Sequence, residues 1–292
     1  MSPASVFSRR SSSIRQAPIQ VNYLGYPGSM GADLIDYIIV DRFLAPMDHR
    51  PFYTERLVQL PHCYQPNRAE QEVAHRTPSR WEYGLLEKGF VFCCFNTSYK
   101  FTPAFFDVWM RLLTAVPGSV LCLVAANPFV KDNLRREAAG RGAAAERLVF
   151  ATPAPRPEYL ARLGLADLFL DTLPYNAGAT ASDALWAGLP VLTCSGETYV
   201  GRMAGALLTA VGLPELITTW LEAYEALALR LATESGLLAG LRERLPRNRL
   251  TMPLFNIARF ARGLESAYQQ MSEIWKAGLP PVALAIAPST DN

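Results

Sequence analysis

The stretch from residue 168 to residue 196 carries the side chains whose types and spacing point most directly to chemistry. A short apolar run ends at Asp171, and small residues at 177–179 precede a helix-like segment that contains Thr180 and Asp183. Free N–H groups and the positive dipole end at a helix N-terminus favour an anion such as a phosphate. Small residues let the backbone approach it, and the Asp183 carboxylate, one turn into the helix, can accept from a ribose hydroxyl. The pattern predicts a nucleotide diphosphate site.

The elements around this loop predict an α/β fold. Apolar runs at 168–170 and 191–194 flank the loop as the two strands of a βαβ unit. From residue 89 onward, strand-like and helix-like segments alternate, which indicates a parallel sheet. Further strands are predicted at 90–95, 120–125 and 148–151, and helices at 102–116, 131–140, 158–163, 198–211, 221–233, 234–245 and 253–277. Thr102 and Pro103 are typical of an N-cap and a first helical residue.

The chain before this α/β region has a different organisation. Short strands are predicted at 20–24, 34–40 and 56–60, and a proline-containing passage at 64–82 has the composition of a linker. Both ends are rich in small and polar residues or prolines and are predicted to be disordered or loose. The predicted divisions are a tail at 1–17, a segment at 18–82, an α/β domain at 83–277 and a loose tail at 278–292.

Composition excludes several classes of protein. The chain has 292 residues, half of them hydrophobic, and a net charge of +2 without a block of basic and aromatic residues, which argues against nucleic-acid binding. No apolar run reaches transmembrane length, and the N-terminus lacks the apolar core of a signal peptide, so no membrane association is expected. Five cysteines without metal-site spacing predict buried, reduced thiols and a cytoplasmic location.

Four blocks of the chain carry a family resemblance. They are APIQVNYLGYPGSMGADLIDYIIVD, FVFCCFNTSYKFTPAFFDVWMRLL, LADLFLDTLPYNAGATASDALWAGLPVLTCSGETYVGRMAG and PLFNIARFARGLESAY. Together they resemble the catalytic region of the O-linked N-acetylglucosamine transferase/SPINDLY family, glycosyltransferase family 41, over residues 17–275. The resemblance implies a GT-B fold with two Rossmann-like halves, a nucleotide-sugar donor (UDP-GlcNAc or GDP-fucose), a protein Ser or Thr hydroxyl as acceptor, and no required metal or cofactor.

The resemblance also assigns roles to single residues. Lys100 matches the family lysine that contacts the donor diphosphate and neutralises the departing nucleotide, which suits a reaction that builds negative charge on a phosphate. Arg162 matches an arginine lining the base region. The remaining matched positions all concern donor binding: Ala154 and Arg156 at the base, Asp183 at the ribose, Thr180 at the phosphate, and Leu24, Gly25 and Pro27 in a turn facing the sugar.

The sequence departs from the family pattern in three places. Gly178 and Ala179 stand where the family has a histidine and a threonine that contact the diphosphate, so backbone N–H groups must replace two side-chain donors. Thr97 occupies the position of a diphosphate-binding glutamine. A complete catalytic region has a further Rossmann-like half before the first block, so the chain is expected to be N-terminally truncated. Residues 18–82 would then be the end of that half, and 83–277 one complete C-terminal half.

These observations lead to one main hypothesis and its alternatives. The main hypothesis is a glycosyltransferase that moves a sugar, GlcNAc from UDP-GlcNAc, to Ser or Thr hydroxyls of proteins. The first alternative is a truncated chain that binds nucleotide without turnover, which the missing half and the Gly178–Ala179 pair favour. The second is an O-fucosyltransferase that uses GDP-fucose. A third alternative, an epimerase acting on UDP-GlcNAc, would need an acid/base carboxylate in the missing half, and the sequence gives no evidence for it.

Overall fold

The structure is a computed structural model that describes residues 15–74, 78–125 and 127–288. Its strands are β1 (Val21–Asn22), β2 (Tyr37–Asp41), β3 (Arg56–Leu60), β4 (Val91–Cys94), β5 (Val120–Val124), β6 (Leu148–Ala151), β7 (Leu168–Leu170), β8 (Val191–Cys194), β9 (Ile217–Thr218) and β10 (Leu284–Ala285). Its α-helices are α1 (Pro103–Ala115), α2 (Pro128–Gly140), α3 (Arg156–Leu163), α4 (Ala179–Trp186), α5 (Met203–Ala210), α6 (Leu221–Thr233), α7 (Ser235–Thr251) and α8 (Ile257–Lys276).

The chain divides into two compact units. The first is drawn from Met1–Arg68, Thr198–Val200 and Met252–Asn292, and the second from Ala69–Glu197 and Gly201–Thr251. The first unit contains a parallel sheet in the order β1-β2-β3-β10. Alternate strand residues point to one face, and there they bury an apolar core against α8, whose members are Tyr37, Ile39, Val58, Leu60, Ala267, Met271 and Ile286.

The second unit contains a six-stranded parallel sheet in the order β6-β5-β4-β7-β8-β9. Strands β4, β7 and β8 are buried along their whole length, as apolar runs in a parallel sheet covered on both faces should be. The strand order reverses next to β4, because β5 and β6 lie on one side of it and β7, β8 and β9 on the other. Ligands of open α/β sheets bind outside the carboxyl ends of the strands at such a switch point.

Most of the predicted elements of the α/β region are confirmed. Strands β4 to β8 lie within two residues of the predicted bounds. Thr102 is the N-cap of α1, where its hydroxyl accepts from the Phe105 N–H (3.5 Å), and Pro103 is the first helical residue. All five cysteines are buried and free, as predicted. Among the described residues, no helix combines the length and the apolar character that a membrane crossing requires.

The C-terminal part of the chain differs from the prediction. The predicted loose tail 278–292 contains β10, which pairs with β3 through Leu284 and Val58, so this prediction was wrong. Helix α8 lies in the first unit and not in the predicted domain 83–277. An apolar stripe shows that a helix buries one face, but it does not identify the sheet that receives that face. The helix predicted at 198–211 begins only at Met203, and most of the tail predicted at 1–17 lies outside the described residues.

Candidate functional site

The carboxyl ends of β4 and β7 meet at the switch point of the second sheet. Asn96 follows β4 by two residues, and Asp171 follows β7 directly. The side-chain amide of Asn96 donates to Asp171 Oδ1 (3.1 Å) and to Thr172 Oγ1 (2.8 Å). These two bonds join the loop that carries Lys100 to the loop that leads to residues 177–180.

Lys100 lies in the short turn after β4 and reaches the loop after β7. Its ammonium donates to the Asn176 carbonyl (3.3 Å) and lies 3.9 Å from the centre of the Tyr175 ring. Burial lowers the pKa of Lys100, and the neighbouring Asp171 carboxylate opposes that shift. Within the described residues Lys100 forms no ion pair, so its charge is available to an anion. Thr97, three residues earlier, is exposed, and its side chain makes no capping hydrogen bond.

The loop after β7 is held by its own polar side chains. The Ala177 N–H donates to Asp171 Oδ1 (2.7 Å), and the Thr172 hydroxyl donates to the Tyr175 carbonyl (2.7 Å). The Asn176 side-chain amide donates to the Thr172 carbonyl (2.7 Å). Three bonds within seven residues fix the loop in one conformation, and they thereby fix the start of α4.

Helix α4 begins at the end of this loop. Gly178 is its N-cap residue, and no side chain caps the helix. The N–H groups of a first helical turn have no partner within the helix. Gly178 is buried, whereas Ala179 is exposed and Thr180 is half-buried. Since Gly178 and Ala179 have no side-chain donors, an anion at this end of α4 would be held by backbone N–H groups and the Thr180 hydroxyl.

Arg156 and Asp183 form a two-pronged ion pair. Arg156 Nη2 donates to Asp183 Oδ1 (2.7 Å) and Nη1 to Oδ2 (3.2 Å), which joins the start of α3 to the middle of α4. Burial raises the pKa of the Asp183 carboxyl group, and the Arg156 guanidinium opposes the shift. Arg156 also contacts the Gln71 side chain. The resemblance gave these residues separate roles at the base and at the ribose, whereas the structure places them in direct contact.

Arg162 lies inside the second unit. Its Nη1 donates to the Thr152 carbonyl (2.5 Å), and its guanidinium lies 4.5 Å from the centre of the Tyr83 ring. Together with residues of β4, β5 and β6 it lines a cavity of about 140 Å³. Thr152 precedes the half-buried Ala154 by two residues. Arg162 therefore fixes the course of the β6–α3 loop, in which the resemblance places the base contact.

The turn that contains Leu24, Gly25 and Pro27 belongs to the first unit. The predicted strand 20–24 ends at Asn22, and Leu24 has a φ of 57°, which an L-residue rarely adopts. The Gly25 N–H donates to the Tyr23 carbonyl (2.7 Å). The contact of this turn with a donor sugar stays a prediction.

Three polar residues of the site did not emerge as candidates from the sequence. The sequence pattern marks Asp171 only as the end of a strand, and it does not distinguish Asn96 or Thr193 from other polar residues. Thr193 lies on β8, and its hydroxyl donates to Asp171 Oδ2 (2.6 Å). Polar residues within or just after three predicted apolar strands are the available signal. Their convergence, however, depends on the strand order β4-β7-β8, which local pattern does not reveal.

Comparisons with known proteins place the chain in a family. The model of the Glycosyl transferase family 41 matches residues 9–77 and 65–264. A probable UDP-N-acetylglucosamine–peptide N-acetylglucosaminyltransferase SEC of Arabidopsis thaliana is 38% identical over 274 residues, covering 92% of this chain and 28% of the relative. A probable transferase of the same description, SPINDLY of Arabidopsis thaliana, is 34% identical over 268 residues, covering 90% of this chain and 28% of the relative.

A solved structure shows the same likeness in three dimensions. A mutant of the Thermobaculum terrenum O-GlcNAc transferase superposes with a TM-score of 0.83 at 35% identity, covering 91% of this chain and 51% of that chain. The α/β fold is thus of the GT-B glycosyltransferase type, as the resemblance implied. The chain spans only about a quarter of the length of the two plant relatives. On the strength of the family match and these identities, the chain belongs to glycosyl transferase family 41.

Proposed function

We propose that the chain binds UDP-GlcNAc and transfers GlcNAc to Ser or Thr hydroxyls of proteins. The observation that carries this proposal is Lys100, a half-buried cation without an ion-pair partner in the described structure, bonded to the loop that leads into the uncapped N-terminus of α4. A lysine and a row of backbone N–H groups are a suitable pair of partners for a diphosphate. The names of the relatives, which specify a UDP-N-acetylglucosamine donor and a peptide acceptor, support the choice of substrates.

The proposed reaction transfers one glycosyl group and releases one proton. The acceptor hydroxyl oxygen attacks the anomeric carbon of GlcNAc, the bond from that carbon to the β-phosphate oxygen breaks, and UDP leaves with the bonding electrons. The hydroxyl proton passes to solvent or to a base. Negative charge grows on the β-phosphate during this step, and a fixed cation at that point stabilises the transition state more than the ground state. Lys100 supplies this cation, and the Asp183 carboxylate orients the ribose. The resemblance implies that no metal is required.

Calorimetric titration tests the proposal. The chain is titrated with UDP, UDP-GlcNAc and GDP-fucose, and Lys100→Ala is compared with Lys88→Ala, which removes an exposed lysine outside the site. UDP-GlcNAc is expected to bind, and Lys100→Ala should weaken it about tenfold to hundredfold, since one charge contact in a half-buried site is lost. Lys88→Ala should bind like the wild type. Equal affinities of the two variants would contradict the assignment of Lys100.

A transfer assay with radiolabelled donor and a pool of Ser- and Thr-containing peptides completes the test. Label in the peptides, lost in Lys100→Ala, is the expected outcome. Donor binding without any transfer would identify a nucleotide-sugar-binding chain without turnover. Binding of GDP-fucose alone would assign the chain to O-fucosyl transfer.

A further inference from the structure

The carboxylate of Asp171 is the common attachment point of three segments around the donor site. It is fully buried, with no exposed surface. Its oxygens accept from the Ala177 N–H (2.7 Å), the Asn96 side-chain amide (3.1 Å) and the Thr193 hydroxyl (2.6 Å). None of these donors is charged, and within the described residues Asp171 has no cation at ion-pair distance. A buried carboxylate is expensive unless it is fully hydrogen-bonded, so its retention at the end of β7 calls for a functional reason.

The three donors connect Asp171 to both halves of the site. Ala177 precedes the N-cap of α4 by one residue, so the bond to its N–H sets where the first turn of that helix begins. Asn96 opens the turn that carries Lys100, and the Lys100 ammonium in turn contacts the Asn176 carbonyl. A displaced Asp171 carboxylate would therefore move the cation and the helix N-terminus relative to each other.

We infer that Asp171 is the positioning residue of the donor site, holding Lys100 and the N-terminus of α4 at the spacing that a diphosphate requires. This inference rests on the proposed function. Asp171 itself is fully buried, so it acts on the donor through Lys100 and α4 and not by direct contact. Protonation of its carboxylate removes part of its accepting capacity, so the donor site is expected to loosen at acidic pH. Burial raises the pKa of Asp171 to about 6, which puts this change in an accessible range.

The other titratable groups that face Asp171 are two thiols, one phenol and one ammonium group. They come from every element packed against it: Cys94 on β4, Lys100 after β4, Cys194 on β8 and Tyr224 on α6. Burial raises the pKa of both thiols and of the phenol, so they stay neutral. Asp183, which is part of the site itself, also has a pKa raised by burial and therefore needs its own control.

The test measures UDP-GlcNAc affinity between pH 5 and pH 8 for the wild type, Asp171→Asn and Thr193→Val. UDP-GlcNAc is the suitable probe because its phosphates lack the second ionisation near pH 6 that the terminal phosphate of UDP has. Wild-type affinity should fall about tenfold toward pH 5. Asp171→Asn should bind at every pH as weakly as the wild type does at pH 5. Thr193→Val should shift the midpoint upward, because the Thr193 hydroxyl lowers the pKa of Asp171.

Two controls separate positioning from mere stability. Asp167→Asn removes a carboxylate at the opposite end of β7, where it pairs with Arg80 (2.8 Å) and Arg242 (3.0 Å), and should leave donor affinity and its pH profile unchanged. Asp183→Asn should keep the acid-induced weakening that Asp171 causes. An Asp171→Asn protein with wild-type affinity and pH profile would overturn the inference while leaving the proposed function intact. A wild type that does not bind UDP-GlcNAc at any pH would overturn both. If Asp171→Asn fails to fold, an unshifted midpoint in Thr193→Val is the refuting result.

Discussion

Replacing Asp171 by asparagine should change the free energy of unfolding of the second unit more favourably at pH 7.5 than at pH 5, although it damages the proposed donor site. The substitution conserves shape and keeps a hydrogen-bond acceptor for the Ala177 N–H, but it removes a buried charge. Residues retained for function at a cost in stability are expected at binding sites. The pH dependence of the free energy of unfolding isolates this cost, because the effects of repacking do not depend on pH.

The magnitude follows from the pKa. Burial raises the pKa of Asp171 from 3.8 to about 6, although the hydrogen bonds from Thr193, Ala177 and Asn96 lower it. Because the folded-state pKa lies above the unfolded one, the folded protein holds the proton more tightly. The free energy of unfolding therefore falls as the pH rises from about 4 to about 6. Relative to acidic pH, where Asp171 is protonated, its ionisation lowers the free energy of unfolding by about 3 kcal/mol at pH 7.5 and by about half of that at pH 5.

Urea unfolding followed by tryptophan fluorescence measures this effect. The chain has five tryptophans, and Trp81, Trp109, Trp186 and Trp220 belong to the second unit. The unfolding free energies of wild type and Asp171→Asn are compared at pH 5 and pH 7.5. Their difference should favour the variant by about 1.5 kcal/mol more at pH 7.5 than at pH 5.

The comparison has a clear refuting result. Other titrating groups are present in both proteins and cancel in the difference. The same difference at both pH values would show that Asp171 has the same pKa in the folded and unfolded states, and the physical account of its burial would then be wrong.

Four further predictions follow from the described contacts. Asp183→Asn should weaken UDP-GlcNAc binding about tenfold. A UDP analogue with deoxyribose should bind wild type and variant equally, and a double-mutant cycle measured by calorimetry tests this coupling between Asp183 and the ribose hydroxyl. Thr102→Ala should lower the free energy of unfolding by about 1 kcal/mol through loss of the α1 N-cap, without changing donor affinity. Deleting residues 279–292 removes β10 and Ile286 from the first core, so the melting temperature should fall while UDP-GlcNAc still binds. Excess EDTA should leave UDP-GlcNAc affinity unchanged, and a loss of affinity that magnesium restores would show that the site needs a metal.

The local parts of the second unit could be predicted from the sequence. Strands β4 to β8 are apolar runs bounded by turn residues, and α1 starts at a threonine followed by a proline, so each bears its own signal. The loop at 177–180 was also locatable, because small residues between a strand and a helix are typical of anion-binding loops. The assignment of Lys100 to the same donor diphosphate rests on the family resemblance and not on spacing.

The long-range parts could not be predicted in this way. The bonds of Asp171 to Asn96 and Thr193 depend on which strands are neighbours, and the ion pair of Arg156 with Asp183 depends on how α3 and α4 pack against each other. Likewise, the apolar stripe of α8 would fit either sheet, and so would the two apolar residues of β10. Each of these contacts joins residues far apart in sequence, and local pattern contains no information on such pairs.

The first sheet has a consequence for synthesis on the ribosome. Its strands β1, β2 and β3 are made early, but β10 and the helix α8 that covers the sheet come after residue 256, once the whole second unit has been translated. The second unit can fold as soon as it leaves the exit tunnel, whereas the first must wait with an uncovered apolar face. A nascent chain that carries these two units is therefore an expected client of chaperones that shield apolar strands, and the second unit is expected to fold before the first.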